Sequence, residues 1–256
     1  MTVNQRPIVL ITGATSGFGL ATAKKFAKHG YPIIITGRRA ERLKSLSEEL
    51  SEQTSVFSYT LDVTDNDAVL EFVEQLPESF KQVAILVNNA GLALGAERAD
   101  KASLSDWHTM IDTNVTGLVN VTHSLLTTLS AQPTASIINL ASVAANWPYP
   151  GSNVYGASKA FVAQFSRNLR SDFAGTGVRV TSLEPGLAES EFSLVRFKGD
   201  AERYKQIYEN TNALQPEDIA NIIFWIAEQP AHININSLEV MPSSQAWDNF
   251  KIVKGE

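Results

Sequence analysis

Residues 8–19 read Ile8-Val9-Leu10-Ile11-Thr12-Gly13-Ala14-Thr15-Ser16-Gly17-Phe18-Gly19, an apolar run followed at once by a glycine-rich turn. The apolar run predicts a buried strand, and the alanines and Phe26 at helical spacing after the turn predict a helix. Gly13 permits a tight turn, Gly17 lets the backbone approach a ligand, and Gly19 lets the helix lie close to the strand. Free N–H groups at the start of such a helix attract an anion. This stretch therefore predicts a unit that binds a pyrophosphate, with an ordinary glycine turn as the alternative because its GxxxGxG spacing differs from the common GxGxxG pattern.

The same alternation of strand and helix continues along the chain. Strands are predicted over 8–11, 33–35, 56–61, 83–87, 136–140, 178–183 and 237–241, and helices over 17–29, 40–53, 66–76, 105–129, 152–174, 200–210 and 216–227. Near-continuous apolar strands separated by helices favour a parallel sheet with helices on both faces. No linker-like tract interrupts the pattern, so we predict a single α/β domain over residues 1–256 with a doubly wound, Rossmann-like sheet. Such a sheet binds ligands at the carboxyl ends of its strands.

Composition excludes several classes of protein. The 256 residues carry a formal net charge of −6, which gives no basic surface for nucleic acid and disfavours an anionic membrane. The absence of cysteine excludes disulfides and thiolate chemistry. No apolar run approaches the roughly 18 residues of a membrane span, and the first residues lack the features of a signal peptide. We therefore expect a cytoplasmic protein without a nucleic-acid or membrane partner.

The end of the second predicted strand carries two arginines. The stretch reads Thr36-Gly37-Arg38-Arg39, and no carboxylate appears before Glu41. Enzymes that prefer NAD usually place Asp or Glu here on the ribose hydroxyls, whereas two guanidiniums suit a 2′-phosphate, and Arg38 could also stack on adenine. A solvated basic pair is the alternative, although cations at a helix start oppose the helix dipole. The arginines thus predict NADP(H) as the cofactor.

The segment Tyr155-Gly156-Ala157-Ser158-Lys159 places a tyrosine and a lysine on one helix face. A nearby lysine can lower the pKa of a phenol from about 10, which makes the tyrosine a candidate general acid and base. Ser142 follows the predicted strand 136–140, where its hydroxyl could hold a substrate oxygen. A capping or turn residue is the alternative for this serine. A tyrosine and lysine at this spacing also occur by chance, so the pair alone is weak evidence.

Other side chains are weaker candidates. The four histidines, His29, His108, His123 and His232, are dispersed without ligand spacing, so we predict no metal site. Trp147 and Tyr149 follow Ser142 and are either substrate-wall residues or core anchors. Arg196 and Lys198 lie in a segment, about 187–212, that we interpret as a substrate lid, with a solvated helix face as the alternative.

Taken together, these motifs resemble the short-chain dehydrogenase/reductase family. The resemblance covers essentially the whole chain and rests, in order, on residues 12–19, Asp62-Val63, Asn88-Asn89-Ala90-Gly91, Asn114, Ser142, Tyr155, Lys159 and Pro185-Gly186. It implies an oxidoreductase that transfers a hydride between NADP(H) and an alcohol or carbonyl. It also implies that Gly13, Ala14, Thr15, Ser16, Gly17, Phe18 and Gly19 bind the cofactor, with Arg38 and Arg39 beside them.

The family resemblance assigns roles to the remaining positions. Asp62 and Val63 would contact adenine, Asn89-Ala90-Gly91 would line the ribose side, and Pro185-Gly186 would flank the nicotinamide. Lys159 would bind the nicotinamide ribose as well as tune Tyr155, and Asn114 would hold a water that links Lys159 to solvent. The family often has a threonine shortly after Pro-Gly that bonds the carboxamide. Here Leu187-Ala188-Glu189-Ser190 follows, which leaves Ser190 or backbone groups as candidates.

A closer resemblance is to the subgroup that oxidises small 3-hydroxy acids such as serine, allo-threonine and 3-hydroxypropionate. It rests on the stretches 11–19, 36–43, 88–95, 147–149, 184–187, 191–193, 195–200 and 230–236. A substrate of this class needs a cation for its carboxylate, and Arg196 is the candidate, with Ser142 and Trp147 also at the substrate. In this family, helices like those predicted at 105–129 and 152–174 pair across subunits, so we expect a homotetramer.

Two other functions remain open at this point. A reductase of a larger carbonyl, such as a sugar or steroid, would need a wide apolar cleft, and Arg196 favours the small acid instead. A non-catalytic NADP(H) sensor would be expected to lack Tyr155 or Lys159. Both residues are present together with Ser142 and Asn114, so catalysis is the favoured interpretation.

Overall fold

A computed structural model describes residues 6–209 and 211–247 of the chain. Its strands are β1 (Ile8–Ile11), β2 (Ile33–Gly37), β3 (Val56–Thr60), β4 (Val83–Asn88), β5 (Ala135–Leu140), β6 (Val178–Pro185) and β7 (Ser237–Val240). They form one parallel sheet in the order β3-β2-β1-β4-β5-β6-β7. The predicted fold class is confirmed, and the bounds of each predicted strand agree within two residues.

Helices cover both faces of this sheet. They are α1 (Gly17–Lys28), α2 (Ala40–Ser51), α3 (Asn66–Glu74), α4 (Leu104–Ile111), α5 (Gly117–Ser130), α6 (Asn153–Asp172), α7 (Glu191–Arg196), α8 (Ala201–Tyr208) and α9 (Pro216–Ala227). Neighbouring residues of β1 face opposite sides, as a strand requires. Val9 packs with α1, α2 and α9 in one core, while Leu10 packs with α3, α5 and α6 in the other. Two apolar layers therefore hold a sheet that is buried on both faces.

The strand order reverses at β1. Its neighbours are β2 on one side and β4 on the other, so the connections after β1 and β4 leave the sheet in opposite directions. This divergence opens a crevice at the carboxyl ends of the central strands, which is where ligands bind in doubly wound folds. The glycine-rich turn after β1 lies at this crevice.

The long helix predicted over 105–129 is divided in the structure. The chain forms α4, then a single π-helical turn over Asp112–Thr116, and then α5. Apolar periodicity does not reveal such a turn, because helical spacing continues on both sides of it. A π-turn inside a helix often marks a functional position, and this one contains Asn114.

The segment after β6 also differs from its prediction. The structure contains the short helix α7, which the sequence interpretation missed because six residues are too few for a periodic pattern. The helix predicted over 200–210 corresponds to α8, and Asn210 lies outside the described residues. Among residues 6–209 and 211–247, no helix is both long enough and apolar enough to cross a bilayer.

Candidate active site

A cleft of about 330 Å³ lies at the carboxyl ends of β1, β4 and β5. Its lining includes most of the predicted site residues: Gly13, Thr15, Ser16, Gly17, Phe18, Arg38, Arg39, Asp62, Val63, Asn89, Ala90, Gly91, Ser142, Tyr155, Lys159, Pro185 and Gly186. Ala14 is fully buried beneath the turn, and Gly19, Asn114, Trp147 and Arg196 do not line the cleft itself. The structure thus brings together residues from positions 13 to 186 in one cavity.

The glycine-rich turn has the shape that a close ligand requires. Gly17 has a positive φ of 51°, a conformation that other residues adopt only with strain. A Cβ atom at Gly19 would overlap the carbonyl oxygen of Gly13 and the amide of Asn89. The Asn89 amide donates to Thr12 O at 2.9 Å and to Gly13 O at 3.2 Å, which fixes the turn against the end of β4. Glycine is therefore needed at position 19 for close packing and at position 17 for the backbone conformation.

The start of α1 is open to an anion. Ser16 is the N-cap residue, yet its side chain makes no capping hydrogen bond, and its hydroxyl accepts from Arg39 Nη2 at 2.6 Å instead. The amides of the first helical turn have no intrahelical acceptor, so they are available to a phosphate. This arrangement fits a pyrophosphate.

Three guanidiniums gather at the adenosine end of the cleft. Arg38 Nη1 lies 4.0 Å from Asp62 Oδ2, and Arg39 Nε donates to Thr15 Oγ1 at 3.0 Å. Arg42, on the first turn of α2, lies beside Arg39 because both side chains contact Glu191. The hydrogen bond from Arg39 is the largest cause that lowers the pKa of the Glu191 carboxyl, and Arg42 contributes further. This cluster of positive charge suits a phosphate.

Tyr155 and Lys159 lie one turn apart on α6, and both are buried. Burial raises the pKa of Tyr155 to about 12, and the neighbouring Ser142 hydroxyl opposes this shift. Burial also lowers the pKa of Lys159 to about 8. The sequence predicts that Lys159 lowers the pKa of the phenol, and here the structure differs, because Lys159 Nζ donates to Leu140 O at 2.7 Å and lies 5.9 Å from the tyrosine ring centre. The phenol is therefore protonated at neutral pH.

Ser142 combines two of its possible roles. Its hydroxyl accepts from Ala144 N at 3.1 Å, which caps the short 3₁₀ turn Val143–Ala145. The same hydroxyl donates to Pro185 O at 3.4 Å and lines the cleft near Tyr155. The capping role and the position in the cleft therefore do not exclude each other.

Asn114 is held in the π-turn by three hydrogen bonds. Its Oδ1 accepts from Leu92 N at 2.8 Å, and its Nδ2 donates to Leu92 O and to Ser158 Oγ. A Cβ atom on Gly91 would lie 3.2 Å from Asn114 Oδ1 and 3.4 Å from Lys159 Nζ. Asn114 and Lys159 thus both approach the same glycine.

Arg196 does not line the cleft but lies close to Tyr155, which does. Its Nε donates to Gly95 O at 3.0 Å and its Nη1 donates to Tyr149 OH at 3.0 Å. The guanidinium carbon lies 5.7 Å from the ring centre of Tyr155, and its charge slightly opposes the raised pKa of that phenol. A cation therefore stands beside the candidate proton donor.

Trp147 occupies a different position from the one predicted. Its indole Nε1 donates to Glu239 Oε2 at 2.7 Å, and its ring packs on Trp247 with 5.8 Å between centres. The physical reason is that the exposed indole N–H bonds to a carboxylate on β7, which places the ring outside the cleft. Tyr149, two residues later, contacts Arg196 instead.

The sequence profile of the short chain dehydrogenase family matches residues 7–199. This match covers the glycine-rich turn, Ser142, Tyr155, Lys159 and Pro185-Gly186. The chain belongs to this family.

Relatives support the assignment over nearly the full length. Sulfoacetaldehyde reductase 2 of Chromohalobacter salexigens is 58% identical over 246 residues, covering 96% of this chain and 98% of that protein. Serine 3-dehydrogenase of Agrobacterium fabrum is 53% identical over 246 residues, again with 96% and 98% coverage. The closed form of a serine dehydrogenase complexed with NADP⁺ superposes with a TM-score of 0.94 at 49% identity, covering 97% of this chain and 100% of that one.

For this member of the family, sequence reasoning missed three contacts. Arg42 was part of the matching stretch 36–43 but received no role, and Glu191 was likewise part of a match without a role. Tyr149 remained a possible core anchor. Arg42 follows Arg39 by three residues, and this helical spacing could have predicted that the two side chains lie together. Nothing in the sequence could have placed Glu191 beside them, because 152 residues separate it from Arg39.

Proposed function

We propose that the protein is an NADP(H)-dependent oxidoreductase for a small 3-hydroxy acid and the corresponding 3-oxo acid. The observation that carries the proposal is the Arg196 guanidinium, 5.7 Å from the ring of Tyr155. A short acid with its carbonyl oxygen at the Tyr155 hydroxyl would bring its carboxylate within reach of that cation. Two of the guanidinium's N–H groups bond to Gly95 and Tyr149, which leaves the others for an anion.

The cofactor assignment rests on the other end of the cleft. The open helix start, the glycine contacts and the guanidiniums of Arg38, Arg39 and Arg42 fit a pyrophosphate and a 2′-phosphate. NADP(H), when bound, supplies or accepts the hydride. The relative whose structure was determined with NADP⁺ supports the same assignment.

The side chains in the cleft divide the remaining chemistry among them. The raised pKa of Tyr155 keeps its phenol protonated at neutral pH, so it can donate a proton to the substrate oxygen during carbonyl reduction. Ser142 would hold that oxygen, and Lys159, beside Asn114, would hold and return the proton from solvent. In the oxidative direction the same groups take the proton in reverse order.

The names of the relatives narrow the substrate class. Serine 3-dehydrogenase acts on a 3-hydroxy carboxylate, and sulfoacetaldehyde reductase 2 is named for an aldehyde that carries a sulfonate. Both substrates place one carbon between the reacting carbon and the anion. A sulfonate analogue is the second candidate substrate, favoured by the 58% identity to the reductase.

An activity assay tests the proposal directly. NADP⁺ reduction would be followed with serine, allo-threonine, 3-hydroxypropionate and 2-hydroxyethanesulfonate, and NADPH oxidation with the matching aldehydes and ketone. We expect turnover of small acids and little turnover of their methyl esters, sugars or steroids. Equal activity on an acid and its ester would identify a general carbonyl reductase. Binding of NADPH without turnover of any carbonyl would identify a sensor.

Replacement of Arg196 by alanine tests the anion site. An unpaired carboxylate in a partly buried site is costly, so we expect the KM for the acid to rise roughly ten- to a hundredfold. The low activity on the methyl ester should be the same in the variant and the wild type. Arg203→Ala is the matched control, because Arg203 pairs with Glu97 on the outside of α8. An unchanged KM in Arg196→Ala would remove this residue from the substrate site.

Finer features of the proposal concern assembly and movement. We propose a homotetramer, because Leu104 and Ile111 on α4 and Phe161 on α6 expose one apolar face, and Trp225 on α9 exposes another. Light scattering after size exclusion measures the number of subunits directly.

We also propose that residues 187–212 act as the substrate lid. We further propose that the protein works in the cytoplasm, and fractionation of cells would test this location.

A further inference from the structure

Glu191 joins the proposed lid to the arginine cluster. It lies in the first turn of α7, and its Oε2 accepts from Arg39 Nη1 at 2.9 Å. Its two oxygens also accept from Arg42 Nη1 at 2.9 and 3.0 Å. Within residues 6–209 and 211–247, no other acidic side chain pairs with Arg39 or Arg42. One carboxylate therefore pairs with two cations and offsets only one of their two charges.

These cations belong to the proposed 2′-phosphate site. The same guanidinium of Arg39 also donates to Thr15 and Ser16 of the glycine-rich turn, so it stands at the adenosine end of the cleft. A phosphate placed there would approach Arg39 as Glu191 does, with an oxygen near 3 Å from the nitrogen. The carboxylate thus occupies donors that a second anion would use.

We propose that Glu191 competes with the cofactor's 2′-phosphate for Arg39 and Arg42. This inference rests on the proposed NADP(H) function and assigns a further residue that sets the strength of cofactor binding. The 2′-phosphate displaces the Glu191 carboxylate from the arginines on binding, and the carboxylate takes its place again as the cofactor leaves. Glu191 therefore weakens NADP(H) binding and promotes cofactor release.

In an alternative arrangement, Glu191 and the phosphate would bind the arginines at the same time and close the lid together. Electrostatic repulsion favours competition over this arrangement. A carboxylate and a phosphate beside one guanidinium repel each other. The three side chains are also about half exposed, at 42% for Arg39, 51% for Arg42 and 43% for Glu191. Exposed ion pairs are weak, so a phosphate dianion can replace this one.

The other end of α7 makes the effect specific to the cofactor. Gly95 N donates to Arg196 O at 2.9 Å, and Arg196 Nε donates back to Gly95 O. These bonds hold the Arg196 end of the helix independently of Glu191. Removal of the Glu191 charge should therefore change cofactor affinity and leave the KM for the acid substrate unchanged at saturating cofactor.

Titration calorimetry with two fragments tests the proposal. Adenosine 2′,5′-bisphosphate carries the 2′-phosphate, and 5′-AMP is identical without it. In Glu191→Gln we expect the Kd of the bisphosphate to fall roughly three- to tenfold, since loss of two exposed ion pairs changes an equilibrium by about this factor. The Kd of 5′-AMP should change less than about twofold. Stopped-flow measurement should show NADPH dissociating more slowly from the variant by a similar factor.

Glu189→Gln is the matched control. Glu189 is two residues away and contacts Tyr204 and Gln215 rather than an arginine, so its removal should leave both Kd values unchanged. Glu191→Ala should repeat the effect of Glu191→Gln. Unchanged or weaker binding of the bisphosphate to both Glu191 variants would overturn the competition, and weaker binding would show a shared site. If the wild-type protein bound both fragments equally, the NADP(H) assignment itself would be wrong, and the inference would fall with it.

Discussion

The two ends of the cleft are built in different ways. At the cofactor end, main-chain contacts fix the site, because the turn after β1 packs through glycine against buried strands and the Asn89 amide bonds to two of its carbonyls. At the substrate end, side chains from distant segments fix one another: Arg196 with Tyr149, and Trp147 with Glu239. The first end is therefore specified locally in the sequence, and the second is specified only when the chain has folded.

This difference has a functional consequence. A site held by main-chain geometry tolerates few changes and keeps one ligand, whereas a site held by exchangeable side-chain pairs can change its specificity by single substitutions. The relatives agree with this expectation, because one is named for serine and another for sulfoacetaldehyde at similar identity to this chain. Tyr155, which lies between the cofactor end and the substrate end, offers the strongest test of how the two ends act together in catalysis.

Tyr155→Phe should have the largest effect, because Tyr155 lies where the two ends meet. We expect kcat to fall by roughly 10²- to 10⁴-fold, the usual contribution of a positioned acid or base. The Kd of NADPH should stay within about twofold, since the phenol proton matters mainly in the transition state. Steady-state kinetics and fluorescence titration of NADPH measure the two quantities. A variant with near-normal kcat would remove Tyr155 as the proton donor.

Exchange of Arg38 and Arg39 for Asp and Ala should weaken cofactor binding without changing substrate binding. Each charge-assisted bond to phosphate contributes about 1.5–3 kcal/mol, so we expect the preference for NADP⁺ in kcat/KM to fall at least tenfold. The KM for the acid at saturating cofactor should not change. Equal use of NAD⁺ by the wild-type protein would contradict the role of the arginines before any variant is made.

The cofactor end also shows what the sequence could predict. The succession of strands and helices, the glycine-rich turn, the arginine pair and the tyrosine–lysine helix are predicted from spacing and residue type. The family resemblance adds Asp62-Val63, Asn89-Ala90-Gly91 and Pro185-Gly186, and in all 17 predicted residues line one cleft. Their geometry depends on residues close in sequence or on the strand order of a doubly wound sheet. Local patterns carry that information.

The substrate end could not be predicted in the same way. Trp147 and Tyr149 are both aromatic residues on one short loop, and only the positions of Glu239 and Arg196 decide which partner each ring takes. The raised pKa of Tyr155 was also missed, because burial of the phenol is its largest cause and burial cannot be measured from the spacing of two residues. Long-range contacts and desolvation are properties of the folded chain.

Lys159→Met should have opposite effects on activity and on stability. Turnover and NADPH affinity should both fall, but the free energy of unfolding at pH 7 should rise by about 1–2 kcal/mol. Burial lowers the pKa of Lys159 from 10.5 to about 8, so below pH 8 the folded wild-type protein holds a charge that the unfolded chain accommodates more easily. Loss of the hydrogen bond to Leu140 O offsets part of the gain.

The gain in unfolding free energy of Lys159→Met should decrease as the pH rises. Between pH 8 and about 10.5 the unfolded wild-type chain keeps the proton on Lys159 and the folded protein releases it, so wild-type stability rises with pH. The advantage of Lys159→Met should therefore shrink over this range. Denaturant unfolding at pH 7 and pH 9.5 measures the difference. An advantage that is constant with pH would mean that Lys159 is not strained by burial.

Trp147→Phe should have the smallest effect, and it tests whether Trp147 takes part in binding the substrate. Phenylalanine keeps an aromatic ring beside Trp247, and it removes the N–H that bonds to Glu239 and part of the ring surface of a side chain that is 43% exposed. We expect kcat and KM for the acid to stay within about threefold, since one exposed hydrogen bond contributes little. Tyr149→Phe is the matched comparison, because it removes the hydroxyl that accepts from Arg196, and the KM should rise roughly two- to tenfold. If Trp147→Phe instead raised the KM tenfold and Tyr149→Phe did not, the indole would have to leave Glu239 and turn into the cleft when substrate binds. The substrate end would then be assembled by the substrate itself, and the contrast with the preformed cofactor end would be sharper still.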